Sequence, residues 1–210
     1  MMSATWYFDF ISPFAYLQWP KLLALRQRVA IVPRPIVFGA VLAHHGQLGP
    51  AEIPVKREFT YRTVQWRAER EGVALRFPPT HPFNPLAALR LAVACGSSWP
   101  AIEAIFMHVW AHGRAGDSAD ALREVGAALG VGDVEAVINA ASVKEELRTN
   151  TEAAIAAGVF GVPTLALDGL LFWGDDATPM IEDHLADRAR FTHGEYARIA
   201  ALPEGARRRS

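Results

Sequence analysis

Ser12 and Pro13 come directly after the aromatic run Trp6-Tyr7-Phe8-Asp9-Phe10. A hydroxyl followed by proline marks a helix start, because the side chain can cap a free N–H and proline needs no donor in the first turn. A cap of that kind does no chemistry. A hydroxyl held at the positive end of a helix can also donate to an anion, so both roles stay open on the residues alone. Cys95 is the single cysteine and lies in the apolar run from Leu91, which reads as a core thiol. It excludes a CxxC pair, an intrachain disulfide and a cysteine-based zinc site. His108 and His112 are four residues apart and could share a helix face, as zinc ligands do. No glutamate lies between them and no third ligand is evident, so no metal is expected. Pro163 in Gly161-Val162-Pro163-Thr164 reads as a strand start, and Asp175-Asp176 as caps of a closing helix. Lys56 reads as a solvated helix charge, and His44, His45 and His81 as loop residues.

The elements that must position these residues change character along the chain. Residues 5 to 10 are β-prone and turn sharply into a helix at Ser12, with Phe14, Leu17, Leu22 and Leu25 as its apolar stripe. Pro20 is expected to bend that helix near its middle. Val29 to Phe38 returns as a second strand, which gives a parallel, right-handed β-α-β unit. Helical spacing then dominates: Lys56 to Glu71, stopped by Gly72, and Leu86–Cys95, Ile102–His112, Ala119–Leu129, Val134–Ala140 and Val143–Ala157. Ala74 to Phe77 is either a strand or an extended linker. Beyond Gly158, two short apolar runs flank Asp168-Gly169, which predicts a hairpin with a two-residue turn. Thr178 to Arg188 supplies a last helix. The order β-α-β, helices, β-β-α is an α/β thioredoxin-like layout with a mostly helical insertion. Residues 1–45 and 158–190 form the discontinuous thioredoxin-like domain in this reading, 46–157 the insertion, and 191–210 a tail.

With 51% apolar residues among 210, the chain can bury a core without metal or disulfide staples. Its 21 basic and 22 acidic side chains are spread evenly for a net charge of −1, which argues against a nucleic-acid footprint. The triplet Arg207, Arg208 and Arg209 reads as a frayed end. Nothing in the sequence resembles a membrane span, and the amino terminus carries no basic, apolar leader, so the expected location is the cytoplasm.

Three segments carry a family resemblance when taken in order. They are Phe8-Asp9-Phe10-Ile11-Ser12-Pro13-Phe14-Ala15-Tyr16-Leu17; Asn150-Thr151-Glu152 leading to Gly158-Val159-Phe160-Gly161-Val162-Pro163-Thr164; and Leu171-Phe172-Trp173-Gly174-Asp175-Asp176. With Pro54 and Lys56 between them, the chain resembles the 2-hydroxychromene-2-carboxylate isomerase family, related to kappa-class glutathione transferases and to disulfide oxidoreductases with helical insertions. The likeness spans about residues 5 to 186. It implies a homodimeric, glutathione-binding enzyme of aromatic-hydrocarbon breakdown that opens a cyclic hemiketal carboxylate. Two departures stand out: Gln47 where the family often has Asn, and Asp175-Asp176-Ala177 where it has a Gln-Asp-Arg run.

The resemblance gives the residues their roles. A free thiol with a pKa near 8.5 is only about 3% ionised at pH 7, and lowering it by about two units makes roughly three quarters of it thiolate. Ser12 takes the place of the oxidoreductases' nucleophilic cysteine and is expected to donate to the glutathione sulfur. Pro163 is expected to be cis, so that the Val162 backbone can pair with the extended cofactor. Asp176, with Asp175 beside it, should meet the γ-glutamyl ammonium. Lys56 is placed by the cofactor's carboxylates or the acid substrate, Gln47 by the cofactor, and Phe14 and Asn84 by the substrate. The activity implied is isomerisation by reversible thiolate addition, bond rotation and elimination. A kappa-type transferase or peroxidase and a non-catalytic binding module are the alternatives.

Overall fold

The computed structural model describes residues 3–206, so the Arg207–Arg209 triplet lies outside the described residues. Four strands form one sheet in the order β2-β1-β3-β4. These are β1 (Ser3–Phe8), β2 (Ala30–Pro35), β3 (Thr164–Leu167) and β4 (Leu170–Trp173). β1 pairs parallel with β2 and antiparallel with β3, with Trp6 opposite Pro33 on one side and Leu165 on the other. The helices are α1 (Pro13–Leu25), α2 (Phe38–His44), α3 (Pro54–Glu71), α4 (Leu86–Ala94), α5 (Trp99–Phe106), α6 (Arg123–Ala128), α7 (Val134–Asn139), α8 (Ala141–Ala156), α9 (Thr178–Ala186) and α10 (Glu195–Ala200). None of them is long and apolar enough to cross a membrane.

β1 explains its own unbroken apolar run. Alternate side chains of a strand point to opposite faces, so a strand buried on both faces has no polar side. Ala4, Trp6 and Phe8 enter the larger core with α4 and α5, whereas Tyr7 packs with Ile36, Val41, Ala154, Val159 and Val162 on the other face. Trp6 stacks on Phe8 at 4.3 Å, and Phe10 meets Phe106 at 4.7 Å. Two indole N–H groups of this core are paired: Trp6 Nε1 donates to Gln18 Oε1 at 2.8 Å, and Trp110 Nε1 to the Phe10 carbonyl at 2.8 Å. The Gln18 amide in turn donates to the Gly174 carbonyl at 3.0 Å, tying α1 to the loop after β4.

Several boundaries differ from the sequence reading. The expected second strand stops at Pro35, and Phe38–His44 is a helix instead. The β-branched Ile36 and Val37 prolong the strand signal past its true end, although Pro33 and Pro35 weaken it. Ala74 to Phe77 is neither strand nor helix; the Arg76 amide donates to the Trp110 carbonyl in a single bond at 2.6 Å. The Ile102–His112 helix ends as α5 at Phe106 and continues as a π turn over Met107–Ala111. Only Arg123–Ala128 of the Ala119–Leu129 segment is α-helical, and the carboxy-terminal stretch contains α10. The hairpin turn has positive φ at both Asp168 and Gly169, the geometry that a tight two-residue connection requires.

Candidate active site

Ser12 is the N-cap of α1, with extended φ and ψ of −89° and 112°. Its Oγ accepts from the Ala15 amide at 3.3 Å and donates toward the Val162 carbonyl at 3.5 Å. Both contacts are long for hydroxyl bonds, so the single Ser12 proton is held loosely. Val162 belongs to the loop between α8 and β3, and the Val162–Pro163 peptide is cis. The Val162 amide donates to no group among the described residues, although its side chain is buried. A helix start, a free hydroxyl proton and an unused backbone donor therefore meet across 150 residues of sequence.

These groups open into a cavity of about 300 Å³. Its walls are mostly apolar: Ile11, Phe14, Phe38, Leu42, Pro82 and Trp173 line it, with Ser12, Glu52, Thr60 and His81 as the polar exceptions. Trp173 closes one side and is half exposed, packing on Phe160 at 5.2 Å. Gly161 permits that approach, since a Cβ there would lie 2.4 Å from Trp173 Nε1. Glu52 Oε2 accepts from the Gly49 amide, which shapes the turn beneath the opening.

Two titratable groups, one fully buried and one partly buried, brace the Ser12 turn. Asp9 is fully buried, and its Oδ1 accepts from the Ile11 amide at 3.0 Å while its Oδ2 accepts from the Phe38 amide at 2.9 Å. Burial pushes its carboxyl up to about 7, against the lowering effect of the Ile11, Phe38 and Phe10 amides. From the other side, His81 Nε2 lies 2.8 Å from the Ile11 carbonyl and must be the protonated nitrogen. Its Nδ1 lies 2.7 Å from the Tyr61 hydroxyl, whose one proton is shared between Nδ1 and the His81 carbonyl at 2.6 Å. Burial holds His81 below its usual range, partly offset by the Ile11 bond, and Arg57 lowers it further.

The predicted site residues divide by location. Ser12, Phe14 and Val162 line the cavity together. Pro163 is buried behind Val162, its carbonyl accepting from the Gly174 amide at 2.9 Å. Asn84 is exposed, and its Oδ1 accepts from the Leu86 amide, while its neighbours His81 and Pro82 reach the cavity. Gln47 and Lys56 are exposed near the residues 49–52 that form the rim, and neither side chain has a partner among the described residues. Asp175 lies 1% exposed between Arg67 Nη1 at 2.8 Å and Lys21 Nζ at 3.2 Å. Asp176 is exposed. Sequence reasoning missed Phe38, Leu42, Thr60 and Trp173 as wall residues and Asp9 as a brace. Trp173 sits inside one of the quoted segments, but α2 was hidden by its strand-like flank.

The chain matches the DSBA-like thioredoxin domain over residues 5–186. It belongs to that family. A 2-hydroxychromene-2-carboxylate isomerase of Sphingobium xenophagum is 31% identical over 190 residues, covering 86% of this chain and 96% of the relative. Glutathione S-transferase kappa 2 of Caenorhabditis elegans is 27% identical over 203 residues, covering 86% and 90%. Among solved structures, a 2-hydroxychromene-2-carboxylate isomerase superposes with a TM-score of 0.78 at 27% identity, covering 94% of this chain and 99% of that one. Within this DSBA-like family, the chain is thus a relative of the 2-hydroxychromene-2-carboxylate isomerases.

Proposed function

We propose that the protein is a glutathione-dependent isomerase of an aromatic, 2-hydroxychromene-2-carboxylate-type acid. The observation that carries this reading is the loosely held Ser12 proton at the start of α1, 3.5 Å from the Val162 carbonyl and facing an apolar cavity. Glutathione, when bound, supplies a thiolate that adds to a conjugated carbon, lets the former double bond rotate and leaves again without net redox. Ser12 turns its O–H from the Val162 carbonyl to the sulfur, which costs little because the bond given up is long. The α1 amino terminus adds its partial positive charge. The unused Val162 amide suits an extended peptide, and exposed Asp176 can meet an ammonium. Lys56 and Gln47 at the rim are the polar groups left to engage the cofactor's remaining ends. Phe14, Phe38, Leu42 and Trp173 offer apolar walls to a flat ring, in a volume at the small end of ligand pockets.

We take the enzyme to act as a cytoplasmic homodimer. Val55, Phe59 and Trp66 support the dimer, because they are 81%, 67% and 54% exposed and share one face of α3.

Turnover is the deciding measurement. An isomerase should convert many equivalents of the acid per glutathione and leave the free thiol concentration unchanged. Stoichiometric loss of thiol would identify a kappa-type transferase instead. Glutathione at about 100 times its Kd should also add roughly 2.7 kcal/mol of stability. Absence of both thiol-linked turnover and a thermal shift would leave only a non-catalytic binding module.

A further inference from the structure

Asp9 is a buried carboxylate that the chemistry above does not use. It has no cation as a partner among the described residues; its oxygens are held by the Ile11 and Phe38 amides. Those two amides belong to different walls of the cavity. Ile11 immediately precedes Ser12, whose own amide donates to the Asp9 carbonyl at 3.1 Å, and Phe38 opens α2. One side chain therefore spans the gap between the nucleating turn and the helix opposite it. The Ile11 carbonyl, in the next peptide unit, is gripped by His81, so residue Ile11, which leads into Ser12, is held at both its N–H and its C=O.

We propose that Asp9 is a positioning residue, whose carboxyl group staples the Ser12 turn to the α2 wall and so sets the aim of the Ser12 hydroxyl into the cavity. For its catalytic consequence this rests on the glutathione reading; for the staple itself it rests on geometry alone. A hydroxyl aimed at a sulfur loses its effect with small displacements, since misplacement by about 1 Å can cost on the order of 100-fold in rate. Asparagine at this position keeps the shape but presents one acceptor and one NH₂ group, so one of the two amides faces a donor.

The staple also carries a proton-linked signature. Burial raises the Asp9 carboxyl to about 7, so the closed turn binds a proton more tightly than an opened, hydrated one. Closure is favoured below that pH and weakened as pH rises through it. Of the groups facing the turn, burial pushes His81 below its usual range and pushes Tyr61 behind it above its own. On the α2 side the Val37 amide donates to the Thr151 hydroxyl, which does not titrate there.

The test combines kinetics with site-resolved amide exchange on the full chain. Asp9→Asn should lower kcat about tenfold or more while the KM for glutathione changes less. Exchange at the Ile11 or Phe38 amide should quicken while that at Leu165 in the sheet does not. The wild-type protein provides the second measurement should the variant fold poorly. Corrected for intrinsic rates, its Ile11 and Phe38 protection should fall relative to Leu165 between pH 6 and 8. Wild-type kcat in a folded Asp9→Asn, or protection at Ile11 and Phe38 that follows Leu165 at every pH, would overturn the proposal. If the wild type shows no glutathione-linked turnover, the isomerase reading fails, and the exchange data still decide the staple by themselves.

Discussion

Ser12→Ala should raise the titration midpoint of the bound glutathione thiol by about one to two pH units, the equivalent of a charge-assisted hydrogen bond of roughly 1.5–3 kcal/mol. The hydroxyl has two contacts in the free protein. Acceptance from the Ala15 amide is its capping role, and losing a serine cap costs about 1 kcal/mol of stability. Donation toward the Val162 carbonyl at 3.5 Å contributes little, so the variant should fold and Pro13 should still start α1. Turnover at pH 7 is then expected to drop about 3- to 25-fold, in step with the thiolate fraction, and to recover as the pH is raised toward the new midpoint. Thiolate absorbance against pH in the complex measures this directly. A midpoint unchanged from wild type, with full turnover, would make Ser12 a cap and nothing more.

The adjacent carboxylates Asp175 and Asp176 should respond to alanine in opposite ways. Asp175 is buried between Lys21 and Arg67, and Lys21 also pairs with Glu71. Burial pushes the Asp175 carboxyl up more than the Arg67 and Lys21 charges lower it, so the ion pair only partly offsets its own desolvation. Removing it leaves Arg67 without its carboxylate and Lys21 with Glu71 alone. Breaking a buried pair costs about 3–5 kcal/mol. Lys21 and Arg67 keep 27% and 21% exposure and can rehydrate, which places Asp175→Ala near the lower end, ~3 kcal/mol. For a chain of this size that is a fall in Tm of roughly 6–12 °C. Asp176→Ala should stay within about 0.5 kcal/mol of wild-type stability, as an exposed substitution does, yet weaken glutathione binding. Calorimetric melts and glutathione titrations of both variants settle the division. Equal melting of the two, or stronger loss of binding in a folded Asp175→Ala, would reverse it.

Local chemistry was legible in the sequence wherever the signal is confined to a few neighbouring residues. The Ser12-Pro13 helix start, the Gly72 stop of α3 and the Asp168-Gly169 hairpin each depend on backbone preferences of one or two residues, and each is found. The order of strands and helices followed from changes in hydrophobic period, which is also local. Helix α2 was not legible, because Ile36, Val37, Phe38 and Val41 are apolar enough for either state and only packing on Tyr7 and Ala154 selects the helix.

Tertiary structure alone decided which polar side chains meet. Asp175 and Asp176 are adjacent in sequence, yet one is sealed against Lys21 and Arg67 and the other faces solvent. The role of Asp9 depends on an amide 29 residues away, and that of His81 on a carbonyl 70 residues away. Burial moves the Asp9 carboxyl toward neutrality against the lowering effect of the Ile11, Phe38 and Phe10 amides, and burial is not a property of its sequence neighbours. Periodicity reports which face of an element is apolar. It carries no information on which distant backbone groups a buried carboxylate will find there, because that depends on how the sheet and α2 pack together.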